Sequence, residues 1–176
     1  MTLARYPAYL SLVRSRPAPP RTSEGRPETW ARDECDELTG LATRQALMDR
    51  LEMIGSLAPG CPLSFLVVKV SGMHGINAAD GVRAGDDVLR TVAWGIRDLT
   101  RATDVVGRLT GASFGIVLQG TGATAAAAVA ARMTHHLNQL TSRSRPVQAV
   151  VSAATGRGIN ADTLPLAAID SLGDCG

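Results

Sequence analysis

Aromatic residues are nearly missing from this chain of 176: two Trp, two Tyr and two Phe, 3% in all. Proteins that hold single-stranded nucleic acid stack its bases on aromatic side chains, so nucleic acid is not the expected partner. The core must instead rest on Val, Leu, Ile, Ala and Met. Apolar residues make up 45% of the chain, enough for a globular fold. Lysine is almost absent too, with Lys69 alone among 18 basic side chains. The three cysteines, Cys35, Cys61 and Cys175, are odd in number and show no metal-like spacing. They suggest no disulfide framework, which fits a reducing compartment. No apolar run is long enough to span a bilayer, and the run near the start is broken by Pro7 before it could form a signal-peptide core. A cytoplasmic protein with no membrane partner is the expectation.

What charge there is lies unevenly. Residues 1–32 hold six Arg against Glu24 and Glu28, while the remainder holds 12 basic and 14 acidic side chains. The basic excess therefore belongs to the leading segment. That segment also carries Pro7, Pro17, Pro19, Pro20 and Pro27. It cannot bury enough apolar surface to offset its ordering entropy, so residues 1–33 read as flexible, with a short helix near Tyr9–Val13. Residues 34–176 read as one folded domain.

The domain alternates helix and strand patterns. Thr43 is placed to cap a helix in which Ala46, Leu47, Leu51 and Ile54 recur at helical spacing. Leu63–Val70 suits a buried central strand. A helical turn is expected near Ile76–Ala79 and a helix from Asp86 to about Thr100. Asp104–Leu109 and Ser113–Leu118 read as two strands joined at Thr110-Gly111, a hairpin. An Ala-rich helix over 123–140, a strand over 147–153 and a short helix over 166–172 follow. Helices between strands, with one hairpin, predict an α+β fold: a mixed central sheet flanked by helices.

Several short motifs now join. Asp36-x-Leu38-Thr39-Gly40-Leu41-x-x-Arg44 opens the domain. Ile76-Asn77, Gly81, Gly85-Asp86 and Leu89 follow the first strand. Arg101, Asp104, Arg108, Gly111 and Phe114 close the series. In this order and spacing the chain resembles the GGDEF (diguanylate cyclase) family over roughly Asp36–Ala154. The resemblance implies the palm-like fold of nucleotidyl cyclases and polymerases.

It also implies a site that has lost its acids. Joining two GTP molecules is phosphoryl transfer, and hard cations such as Mg²⁺ need carboxylate oxygens. The family supplies them from the end of the first strand and from the hairpin turn. Here those positions read Lys69, Ser71, Ala112 and Ser113. An Asp-to-Lys exchange moves the local charge by two units against a dication. The ammonium of Lys69 either touches a phosphate directly or simply reaches for water. The family's terminal basic helix is expected to be absent or shortened. Asn77 and Asp86 match the family's guanine-reading pair, and an amide and a carboxylate can read a base edge. Their structural alternative is that Asn77 ends a turn and Asp86 caps the next helix. No metal site and no cofactor is expected.

A second motif stands intact. In the family, Arg-x-x-Asp five residues before the hairpin marks an inhibitory site for cyclic di-GMP, and Arg101 and Asp104 occupy it. The next long helix usually adds an Arg, which Arg132 matches. A planar guanidinium forks to phosphate or to a guanine edge, and a carboxylate accepts guanine N–H groups. The plainer alternative is a surface ion pair. The expectation is a non-catalytic cyclic di-GMP receptor that relays the signal to a protein partner, with a ligand-bridged homodimer as one arrangement. The alternative is a pseudoenzyme scaffold that binds partners without nucleotide.

Overall fold

The computed structural model describes residues 31–142 and 145–173. Most of the leading segment, including the helix expected near Tyr9–Val13, lies outside the described residues. After a 3-10 turn at Arg32–Glu34, helix α1 spans Arg44–Leu57. Thr43 caps it, its hydroxyl accepting the Ala46 N–H at 3.3 Å. Strand β1 follows at Pro62–Val70, then α2 at Met73–Asp80 and α3 at Val82–Leu99. Strands β2 (Val105–Thr110) and β3 (Ser113–Gln119) form the expected hairpin. Its turn is Gly111-Ala112, with Gly111 at φ 51, a left-handed conformation that suits glycine. Helix α4 (Ala123–Gln139), the short strands β4 (Thr141–Ser142) and β5 (Arg145–Pro146), and β6 (Ala149–Arg157) come next. A 3-10 turn at Gly158–Thr163 leads into α5, Leu164–Gly173.

The main sheet has the order β2-β3-β1-β6. Its class is the α+β expected, but its ladders are all antiparallel, where a mix was expected. The physical reason lies in the path of the hairpin. Strands β1 and β2 run the same way, yet β3 returns between them, so they never pair. The parallel contact that does occur among the described residues is the isolated bridge Ala42–Gly107.

Strand β1 is buried on both faces, which explains its near-continuous apolar run. Leu66, Val68 and Val70 point to one core with Val88, Val92 and Ile96 of α3 and Met133 and Leu137 of α4. Leu63, Phe65 and Val67 point to the other, with Leu47 and Leu51 of α1 and Leu164 and Ala168 of α5. Four helices thus sandwich the sheet in pairs. The hairpin stands with one end at its turn and the other against α3 and α4, and the two candidate sites occupy those opposite ends.

Candidate functional site

At the turn end, the β1–β3 register sets Lys69 opposite Ser113. Lys69 and Ser71 are exposed, and Ala112 and Ser113 are half-buried. Ala112 also packs against the core beneath. The hairpin itself is clamped from below. The Arg108 guanidinium donates to the Gly111 carbonyl at 2.9 and 3.1 Å and to both carboxylate oxygens of Asp36 at 3.2 Å. The carboxylate that approaches this turn is therefore engaged by an arginine. Among the described residues no three His, Cys, Asp or Glu side chains gather as a metal site. An ammonium, two hydroxyls and a methyl group do not fit a hard divalent cation, which requires several oxygen donors.

Asn77 and Asp86 lie beside this end, though not in the roles of turn and cap. Asn77 is inside α2, its carbonyl accepting the Gly81 N–H at 3.0 Å. Asp86 is inside α3, which starts at Val82, four residues earlier than Asp86, with Gly81 as its N-cap. The side chain of Asn77 rests against α3 at Gly85, where an added Cβ would fall 2.0 Å from its Oδ1. That glycine lets the amide and the neighbouring Asp86 share one corner. Neither side chain makes a hydrogen bond to a described residue. Helix α5 carries no Lys or Arg.

The other end is built differently. Helix α3 stops at Leu99, and Arg101–Asp104 forms a tight turn into β2. The Asp104 N–H donates to the Arg101 carbonyl at 3.0 Å, and the Asp104 carboxylate accepts the Arg101 N–H at 2.9 Å. Both residues sit in this turn rather than on the helix and the strand. Arg132, on α4, reaches across and donates to the Leu99 carbonyl at 3.3 Å. Arg101, Asp104 and Arg132 together line one cleft of about 200 Å³, with Leu99, Thr121 and Val129. The plainer alternative, a surface ion pair, is not closed to contact distance, though the Arg101 charge acts on the Asp104 carboxylate. The Arg101 guanidinium is exposed and makes no hydrogen bond or ion pair with a described residue.

Burial raises the Asp104 carboxyl above its ordinary 3.8; the backbone N–H groups of Arg101 and Gln119 and the Arg101 charge pull the other way without reversing it. An ionised Asp104 is thus under-solvated in the cleft and favours further N–H donors. Thr121, in the loop after β3, was not among the residues picked from the sequence. Its signal was a polar residue after Gly120 at a strand end, too common to single out.

The chain matches the family model described as diguanylate cyclase, GGDEF domain, over residues 34–163, and it belongs to that family. It is similar to the response regulator PleD of Caulobacter vibrioides, 30% identical over 105 residues, 58% of this chain and 23% of that protein. The chain spans 12% and 23% of the length of the curated relatives it matches. In fold it is similar to the coiled coil and GGDEF domain of DgcB from Caulobacter crescentus, solved in complex with c-di-GMP. The TM-score is 0.71 at 23% identity, over 81% of this chain and 82% of that one. It is also similar to the diguanylate cyclase SiaD of Pseudomonas aeruginosa, solved with its activator SiaC. There the TM-score is 0.65 at 27% identity, over 78% of this chain and 58% of that one. Among the described residues no helix is long and apolar enough to cross a membrane.

Proposed function

We propose that this chain is a non-catalytic receptor for cyclic di-GMP, which it holds in the cleft of Arg101, Asp104 and Arg132. The observation that carries the reading is the exposed Arg101 guanidinium, hydrogen-bonded to no described residue, on the same cleft as a carboxylate raised by burial and a second arginine. The chemistry suits a ligand with two phosphodiesters and two guanines. Arginine forks to phosphate oxygens or to the O6/N7 edge, and Asp104 accepts guanine N1–H and N2–H. Those donors would relieve the cost that burial places on the ionised carboxylate. At the turn end, Lys69, Ser71, Ala112 and Ser113 offer no carboxylate for a magnesium ion, so GTP is bound there weakly and is not cyclised.

A protein receives the signal in this reading, and the ligand is able to bridge two copies of the domain. The diguanylate cyclase SiaD, similar in fold, was solved in complex with its activator SiaC, which supports a protein as the partner. Isothermal calorimetry with cyclic di-GMP tests the proposal. Saturable heat that Arg101→Ala removes is the expected result. Silence at about tens of micromolar ligand, a binding energy near 6–7 kcal/mol, would remove the reading.

A further inference from the structure

The two edges of the main sheet are treated differently. At β2, the chain before α1 covers the edge: the Ala42 N–H donates to the Val106 carbonyl at 3.2 Å, and the Arg108 N–H to the Ala42 carbonyl at 2.8 Å. At β6 no described strand lies outside. The register fixes which groups point out. The Ser71 N–H donates to the Gln148 carbonyl, and the Asn138 side chain caps both the N–H and the C=O of Ala149 from the outer side. By alternation, Val150, Ser152, Ala154 and Gly156 bond to β1, whereas Val151, Ala153 and Thr155 turn their backbone groups outward. These outward groups meet no described residue.

An exposed strand edge is a template for another strand, and proteins usually blunt it with charge, proline or a bulge. From Ala149 to Gly156 the sequence AVVSAATG has no charge and no proline. The ladder to β1 runs without a register shift. Beside the edge stand exposed apolar side chains: Val150 on β6 (41%) and Leu166 (65%) and Ile169 (47%) on α5. Ser152 ties α5 to this strand through the Ala168 carbonyl at 2.6 Å.

We propose that β6 is an interface strand on which a second copy of this chain pairs antiparallel, about a two-fold axis at Ala153. That axis sets Val151 opposite Thr155 and Ala153 opposite itself, so every outward donor meets an acceptor. It also doubles the apolar surface of α5. Charge favours this occupant over the chain's own leading segment. An uncharged edge facing itself carries no repulsion. Residues 1–30 carry five Arg and five Pro, and their longest proline-free run, 8–16, ends in Arg14 and Arg16; the uncharged edge offers these no complement. The pairing needs no ligand, which separates it from a dinucleotide-bridged dimer.

Sedimentation equilibrium of the full chain without nucleotide is the test, beside hydrogen exchange at several concentrations. The expected result is a dimer that Ala153→Pro converts to a folded monomer whose melting temperature no longer rises with concentration, because proline is tolerated where the N–H faces away from the sheet. Ile169→Glu raises the dimer Kd by about tenfold or more and decides the matter alone if the proline variant melts early. The amides of Val151, Ala153 and Thr155 gain protection only as concentration rises. A monomer at every concentration, or a dimer indifferent to both variants, overturns the proposal. So does protection independent of concentration, which would assign the edge to a segment of the same chain.

Discussion

The β2–β3 hairpin carries opposite chemistry at its two ends. At the turn stand an ammonium, hydroxyls and a methyl group, with the approaching carboxylate of Asp36 taken by Arg108. At the open end, about 20 Å away by strand length, two arginines and a raised carboxylate share a cleft. Among the described residues one end gathers no carboxylates for a cation, and the other holds two guanidinium groups on one cleft, that of Arg101 exposed and without a hydrogen-bond partner. The contrast shows that one hairpin can carry unrelated side-chain chemistry at its two ends on a shared scaffold. The scaffold between the ends is the same aliphatic core, against which Ala112 of one end and Leu99 and Val129 of the other all pack.

That contrast can be broken experimentally. The largest effect is expected at the open end. Arg101→Ala lowers cyclic di-GMP affinity by about 1.5–3 kcal/mol, the worth of a charge-assisted contact, and leaves the melting temperature unchanged. Calorimetry and thermal unfolding read the two quantities. At the turn end the expected effect is on stability instead. Arg108→Ala costs about 1–3 kcal/mol in denaturant unfolding, since it removes the charge-assisted bonds to the half-buried Asp36 and the tie to the Gly111 carbonyl. Dinucleotide affinity there should hold, because distant sites add independently. A parallel fall in both quantities for either variant would show the two ends to be one unit.

A pH series sharpens the comparison further. The Asp104 carboxyl is raised by burial, so the protonated form favours folding. That contribution is fully present below the unfolded value of 3.8 and is lost as pH rises through the raised value. The ligand, in contrast, needs the ionised form. Dinucleotide affinity is therefore expected to fall as pH drops from neutral through the raised value, and Asp104→Asn should give a weak, flat profile. A profile unchanged by that variant would take Asp104 out of the site. The smallest effect is expected for Lys69→Ala: within about 0.5 kcal/mol in stability, as for other exposed positions, and no change in dinucleotide binding. A clear loss of nucleotide binding would mean that the ammonium grips a phosphate after all.

Much of this was legible in the chain. Helical apolar spacing marked α1 and α3, alanine content marked α4, and the apolar run at Leu63–Val70 marked the doubly buried strand. Thr110-Gly111 marked the hairpin to within one residue. The grouping of Arg101, Asp104 and Arg132 came from family resemblance, since no local pattern brings α4 to the α3–β2 turn. Other features depended on tertiary pairing. The return of β3 between β1 and β2 leaves no trace in periodicity. Arg108 and Asp36 both stood in recognisable motifs, yet their contact across 72 residues of sequence could not be read from either. The start of α3 was set four residues late because Gly81 offers no side-chain cap.

The decisive measurement is a pair of titrations on the full chain, one with cyclic di-GMP and one with GTP and Mg²⁺. The account predicts saturable heat from the dinucleotide, and from GTP no magnesium-dependent binding and no cyclic product. Product formed from GTP, or dinucleotide heat that persists in Arg101→Ala, would contradict it.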